Sequence, residues 1–322
     1  LADVPYRLGA VQLTDGCYAW LQPDGGWGLS NAGLIIGEGA ALLVDTLFDL
    51  PHTQRMLTEL EPLTASAPIT TVVNTHGNGD HWFGNELVAD AEIIAAEVTA
   101  QEMRAVGPDS LVSLLGMPGD VGDYARQIFG RYEFAGITPT YPTRTFSDQL
   151  VVSVGGVDVV LINVGPAHTG ADTVVYCERD GVVFTGDIVF AGGTPIVWAG
   201  PLSNWVAACD RILGLDARIL VPGHGPVCTP TVVRTMIDYL QFVQAEAASR
   251  FAAGVPAIQA AADIDLGGFA DLPENERLVV NVIAAYRELA AAAGVEVELP
   301  SGGPPMFGCM AELNSRHSHR PH

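Results

Sequence analysis

The 322-residue chain contains no lysine: all 15 basic residues are arginine, against 37 aspartates and glutamates, for a formal charge of −22. Lacking lysine, it can form no Schiff base and no P-loop clamp on a nucleotide. So negative a field repels a polyphosphate, whose binding rests on cation neutralisation and counterion release, which argues against a nucleic-acid partner. Anionic membranes are disfavoured on the same ground. No apolar run reaches the ~18 residues of a membrane span. Cysteine is sparse as well: Cys17, Cys177, Cys209, Cys228 and Cys309 are scattered, odd in number and never spaced as Cys-x-x-Cys. They read as buried reduced thiols. No basic segment followed by an apolar stretch precedes the first strand pattern, so the default location is the cytoplasm.

What is present is apolar and rich in turns: 48% hydrophobic residues, 36 glycines and 21 prolines. Zero lysine with abundant alanine suggests a GC-rich genome. The length allows a large core, and one domain over residues 1–299 is expected. Asn31 to Gly37 and Ala40 to Val44 form a hairpin pattern, Pro51 opens a helix through Leu60, and Ile69 to Val73 is a β-branched run. A short helix near Asn85 to Val88, a strand near Glu92 to Ala95 and helices across Ala96 to Leu115 follow, broken at Gly107-Pro108. Residues 117–147, with Tyr124, Phe129, Tyr132, Phe134 and Tyr141, interrupt the pattern and read as a variable insertion. Strands resume at Leu150 to Val154, Val157 to Asn163, Thr173 to Cys177 and Val182 to Thr185, then a helix from Ser203 and a strand at Arg218 to Val221. Amphipathic helices within residues 231–295 should cover the β-layers. The Gly/Pro run after Pro300 and the end at Arg316 to His322 read as a flexible tail over 300–322. The alternation is that of an α/β protein.

Eight histidines carry the functional signal. His317, His319 and His322 lie in the expected tail and His52 begins a helix. His76, His81, His168 and His224 each sit beside glycine in a loop just after a β-run. One such residue means little; four in the same context point to a shared centre. The first loop reads Thr75-His-Gly-Asn78-Gly-Asp80-His81-Trp82, and residues two apart at a strand end face one way, so His76 and Asn78 can share a target. Gly165-Pro-Ala-His168, Thr185-Gly-Asp187 and Pro222-Gly-His224 each add one imidazole or carboxylate.

In this order the four motifs resemble the metallo-β-lactamase superfamily over Asn31 to Pro226, including the Leu-Val-Asp45-Thr strand end. The resemblance implies a four-layer αββα sandwich, here with extra C-terminal helices, holding one or two metals between its sheets. It implies one site from His76, Asn78 and His168, a second from Asp80, His81 and His224, and Asp187 as a bridge. Asn78 stands where members usually carry histidine, and an amide oxygen is a poorer zinc donor than an imidazole. One tight zinc at the second site is therefore expected, with a looser ion at the first; iron and manganese are the alternatives.

The resemblance implies a hydrolase in which a metal-activated water, oriented or deprotonated by Asp80, attacks a small ester, thioester, lactone or lactam. An iron-dependent dioxygenase is the alternative, ranked lower because those relatives use the site that Asn78 weakens. A metal-poor binding protein is the other, and would predict wider erosion of ligand-type residues. The charge disfavours the nuclease branch, and the lack of a flavodoxin-like pattern after residue 230 disfavours the flavin-linked one. Trp27, Trp82, Phe190 and Trp198 are candidate walls for a small-molecule substrate, with the aromatic insertion as another. Oligomeric state is not legible.

Overall fold

Alternation with period two decides the layers. In Ala41-Leu-Leu-Val44 every side chain is buried, but Leu42 and Val44 enter one apolar cluster while Ala41 and Leu43 enter another. A strand buried on both faces lies inside a sandwich. The computed structural model describes residues 4–318 and places two mixed sheets face to face.

The first sheet runs in chain order through β1 (Gly9–Gln12), β2 (Cys17–Leu21), β3 (Ala32–Ile36), β4 (Ala41–Val44), β5 (Ile69–Val73), β6 (Glu92–Ala96) and β7 (Arg144–Phe146). Its first four strands pair antiparallel and the rest parallel. The second sheet has the order β12 (Ile219–His224), β11 (Val182–Phe190), β10 (Thr173–Cys177), β9 (Val157–Asn163), β8 (Gln149–Val154). β11 and β12 pair parallel and the others antiparallel.

Val44, Val73, Val159, Val175 and Val221 meet between the sheets. On the outer face of the first sheet, Leu43, Val72 and Ile93 pack on Met56 and Leu60 of α1 (Leu50–Thr64). That helix starts where Asp49 accepts from the His52 N–H at 2.9 Å and Pro51 fixes the first turn. The second sheet is covered by α5 (Leu202–Leu213), α6 (Pro230–Ala252), α7 (Ala257–Asp263) and α8 (Leu278–Ala293). Helix, sheet, sheet, helix is the expected αββα order. No helix among the described residues is long and apolar enough to cross a membrane.

α2 (Glu97–Ala105) and α3 (Pro108–Leu115) precede the expected insertion, which is only partly one. It contains α4 (Gly119–Phe129), but its last residues are β7, which pairs with β6 and completes the first sheet.

The expected tail is a larger correction. Residues 303–318 form α9 (Gly303–Ser318), with Met306, Phe307, Cys309, Met310 and Leu313 buried against α4 and α8. Their spacing, i, i+1, i+3, i+4 and i+7 from Met306 to Leu313, is that of one helix face. His319 and His322 lie outside the described residues.

Candidate metal centre

The chemistry-bearing side chains collect at one end of the sandwich, where β4, β5, β11 and β12 end. His76 and His81 follow β5, and His224 ends β12. Asp187, expected in a loop after a strand closing at Thr185, lies within β11, at a break in the β11–β12 register. Such an irregularity re-aims a side chain without ending the strand. Two glycines make room for it: Gly186, at φ +50°, where a Cβ would lie 2.8 Å from Thr75 Cβ, and Gly223, where a Cβ would strike Asp187 Oδ1.

Asp187 is the centre of the arrangement. Its carboxylate oxygens lie 3.1 Å from His81 Nε2, 3.4 Å from His168 Nε2, 3.5 Å from His224 Nε2 and 3.8 Å from His76 Nε2. Asp80 Oδ2 is 3.2 Å from His224 Nε2 and 3.8 Å from His81 Nε2. Two triads therefore converge, His76–His168–Asp187 and Asp80–His81–His224, each with its ligand atoms within 4.8 Å of one another and so able to hold a metal. Asn78 reaches the first triad, its amide nitrogen 3.1 Å from His168 Nε2. Turned about its last bond, the same amide presents its oxygen there.

Each imidazole is oriented from behind. His168 Nδ1 lies 2.6 Å from the Ile196 carbonyl and His224 Nδ1 lies 3.0 Å from the Gly25 carbonyl. His81 Nδ1 lies 2.8 Å from Asp45 Oδ2. His76 Nδ1 lies 3.0 Å from Thr75 Oγ1, whose own proton goes to Asp45 at 2.7 Å. An acceptor behind each ring fixes the proton on Nδ1 and leaves Nε2 as a lone-pair donor facing the centre.

Asp45 is the residue that sequence reading left without a role. It follows β4 at φ 59°, a left-handed conformation that aspartate tolerates, and accepts from the Thr75 N–H at 2.7 Å while it holds His81. Its signal was present in Leu-Val-Asp45-Thr. Asn31 likewise pins the last loop, donating to the Pro222 and Gly225 carbonyls at 2.9 and 2.8 Å. Asp172, pushed up to about 8 by burial, receives the Ala167 and Thr169 N–H groups and so shapes the His168 loop. Replacing Asp45 by asparagine should weaken metal binding by about 10- to 100-fold, because the acceptor that fixes the His81 tautomer becomes neutral. Competition against a chromophoric chelator measures this, and an unaltered affinity would show that Asp45 does not tune His81.

Burial opposes charge on every imidazole, and the neighbours decide the outcome. For His76 burial wins, reinforced by His81, and the ring is held well below its usual range. His168 is lowered by burial to about 4. For His224 burial is outweighed by Asp187 and Asp80, which raise it to about 9; His81 is raised well above its usual value by the same pair together with Asp45. Asp187 is held well below its usual range because His224, His81 and His76 overcome its burial. The carboxylates thus hold an extra proton on His81 and His224, which a cation taking its place would release to free both Nε2 lone pairs.

A cavity of about 420 Å³ opens beside His224. Trp27, Tyr124, Ile128, Glu274, Glu276 and Asn314 line it, bringing together the N-terminal loop, α4, the stretch before α8, and α9. Trp27 is held rigidly: its N–H donates to Glu274 at 2.8 Å, its indole N–H to Glu276 at 3.3 Å, and the Arg277 guanidinium lies 4.1 Å from its ring centroid. Phe190 stacks on His224 at 5.3 Å with planes 4° apart and backs a ligand-type ring. Of the four expected walls only Trp27 lines this cavity; Phe190 lies behind His224, and the other two stand elsewhere. Trp82 is fully buried, donating to the Gly77 carbonyl at 3.0 Å, because side chains next to one another on a tight turn diverge and His81 takes the inward direction. Trp198 packs against Phe307, 6.1 Å between ring centroids, and is not on the cavity wall.

The chain is 27% identical over 228 residues to the 2,4-dinitroanisole O-demethylase subunit alpha of Nocardioides sp. (strain JS1661), a match spanning 68% of this chain and 56% of that protein. It is 24% identical to the linear primary-alkylsulfatase of Pseudomonas sp. (strain ATCC 19151), across 57% of this chain and 39% of that one. The chain thus spans little more than half, or less, of these relatives. Among solved structures, the sec-alkylsulfatase of Pseudomonas sp. superposes with a TM-score of 0.65 at 18% identity, covering 87% of this chain and 50% of that one. The model of the metallo-beta-lactamase superfamily matches residues 25–224, from the loop whose carbonyl holds His224 to His224 itself. A match over most of the chain, ending on the last of the clustered imidazoles, shows that the protein belongs to the metallo-beta-lactamase superfamily.

Proposed function

We propose that the protein is a zinc-dependent hydrolase, with a tight ion held by Asp80, His81 and His224, a weaker one by His76, Asn78 and His168, and Asp187 between them. The observation that carries this reading is a set of buried atoms outside any hydrogen bond: His76 Nε2, and His81 Nε2 with Asp187 Oδ1, which face each other at 3.1 Å without hydrogen-bond alignment. Leaving such atoms unpaired costs about 1–3 kcal/mol each, and a shared cation satisfies all of them. Imidazole nitrogen with carboxylate oxygen is a donor set that suits zinc. Asn78 occupies the place of the second histidine of the family motif, so the first site is the weaker.

A bound zinc ion lowers the pKa of water towards about 7 and polarises a carbonyl. Asp80, its side chain 13% exposed where the ligand imidazoles are nearly sealed, orients the attacking water and accepts its proton. Phe190 keeps solvent off the back of His224. The cavity beside His224 holds the rest of the substrate, with Trp27 as its apolar wall. Its volume fits a small ester, thioester, lactone or lactam. The alkylsulfatase among the relatives agrees with hydrolysis.

Elemental analysis combined with a panel of those four substrate classes tests the proposal. The expected result is about one zinc per chain with hydrolysis of at least one class. Asn78→His should raise occupancy of the first site towards a second ion, an imidazole being the stronger donor. Iron in place of zinc, with consumption of oxygen, would overturn the hydrolase reading. A metal count indifferent to Asn78→His would remove Asn78 from the coordination sphere.

A further inference from the structure

At the opposite end of the sandwich from the metal centre lies a second cluster. Cys17 opens β2 in the first sheet and Cys177 closes β10 in the second. Cys177 pairs with Val182, where β11 begins, whereas Asp187 and Phe190 lie towards its far end. Cys17 pairs with Ile35, two positions along β3 from Gly33, which faces the Val44 that leads into Asp45. Both cysteines are fully buried. Their sulfurs and a carboxylate oxygen of Asp180 lie within 4.8 Å of one another. The Cys177 S–H donates to Asp180 Oδ2 at 3.2 Å, and the Cys17 sulfur lies beside both. Asp180 Oδ2 also accepts from Arg179, Nε at 2.8 Å and Nη2 at 2.6 Å. Gly16 leaves the space that this guanidinium fills. Cys209, by contrast, has the Ile188 carbonyl as its sulfur's partner, at 3.9 Å.

We propose that Cys17 and Cys177 are an oxidisable dithiol that closes into an intramolecular disulfide joining the two sheets, with hydrogen peroxide as the oxidant. The geometry divides the labour. Cys177 is the attacking thiol: it already donates to Asp180, whose side chain is 12% exposed and passes the proton to water. Cys177 is the sulfur hydrogen-bonded to Asp180, and Cys17 is the neighbour that resolves it. The Cys177 thiolate attacks one peroxide oxygen, the O–O bond breaks, and the departing hydroxide takes a proton to become water. The Cys17 sulfur then attacks the sulfenic sulfur, the S–O bond breaks, and a second water leaves with the Cys17 proton. Two thiols and one peroxide give one disulfide and two waters. Both sulfurs are sealed from water, so oxidation requires the half-exposed Arg179 side chain to swing off Gly16, an opening that admits peroxide and excludes a bulky disulfide.

Peptide mapping tests this. The reduced, metal-loaded protein is exposed to peroxide, quenched, alkylated in denaturant and digested. Peptides containing Cys17 and Cys177 should be found linked within one chain, released by dithiothreitol, with Cys209, Cys228 and Cys309 still alkylated. Cys17→Ser should abolish the link and leave a dimedone-reactive Cys177, and Asp180→Asn should slow linkage several-fold. Full alkylation of Cys17 and Cys177 after peroxide, or linkage only between chains, would overturn the proposal. So would a fall in metal content in Cys17→Ser, which would make the cluster an ion site. The map of the unsubstituted protein stands even if a variant fails to fold.

Discussion

Alanine in place of His81 or His224 strips the tight ion and lowers turnover by at least about 10³-fold, since the ion supplies several kcal/mol of transition-state stabilisation. Both side chains belong to the triad with Asp80, and each Nε2 lies within 3.5 Å of Asp187. Removing one leaves two protein ligands from that triad, fewer than a catalytic zinc requires. His52→Ala is the control: that ring pairs with Asp49 at 2.6 Å, packs against Tyr132 and plays no part in either triad. Metal per chain and turnover are measured on the same preparations. Full zinc content in either site variant would remove the ligand assignment, while loss of zinc in His52→Ala would mean that metal content reports folding and not coordination.

Ending the chain at Pro300 should lower the melting temperature by about 10 °C or more. The cut uncovers the contacts of Met306, Phe307, Met310 and Leu313, all buried, on α4 and α8. Burial of one such side chain contributes about 1.5–3 kcal/mol, against a total stability of about 5–15 kcal/mol. The cut also removes Asn314 from the cavity wall and Phe307 from the side of Trp27, where their ring centroids are 6.3 Å apart. KM should therefore rise more than kcat falls in whatever fraction stays folded. Phe307→Ala is the milder form of the same test, expected to cost about 3–5 kcal/mol. A truncated chain that melts like the full one would show that α9 is not part of the core.

The sequence carries the sandwich and the ligand-type residues because both are local signals. Strand alternation is written in runs such as Leu42-Leu-Val44, and each imidazole follows its own β-run. What it hides is direction and distance. Trp82 adjoins His81 in sequence yet turns the other way. Asp45 acts on His81 across 36 positions, and nothing in its own neighbourhood says which imidazole it will hold. Asp187 looked like a loop residue because Gly186 precedes it, whereas that glycine marks an irregularity in a continuing strand. α9 was obscured by the Gly/Pro run before it and the polar residues at its end, which outweighed a short apolar stripe. Tyr124, Glu276 and Asn314 share one cavity only because helices far apart in sequence dock together.

The two triads draw on both halves of the chain: His76, Asp80 and His81 are near the start, His168 and Asp187 near the middle, His224 two-thirds along. A nascent polypeptide emerging from the ribosome therefore carries an incomplete coordination set until β12 has cleared the exit tunnel. Early fragments released by stalled synthesis would therefore lack a complete set of ligand-type residues.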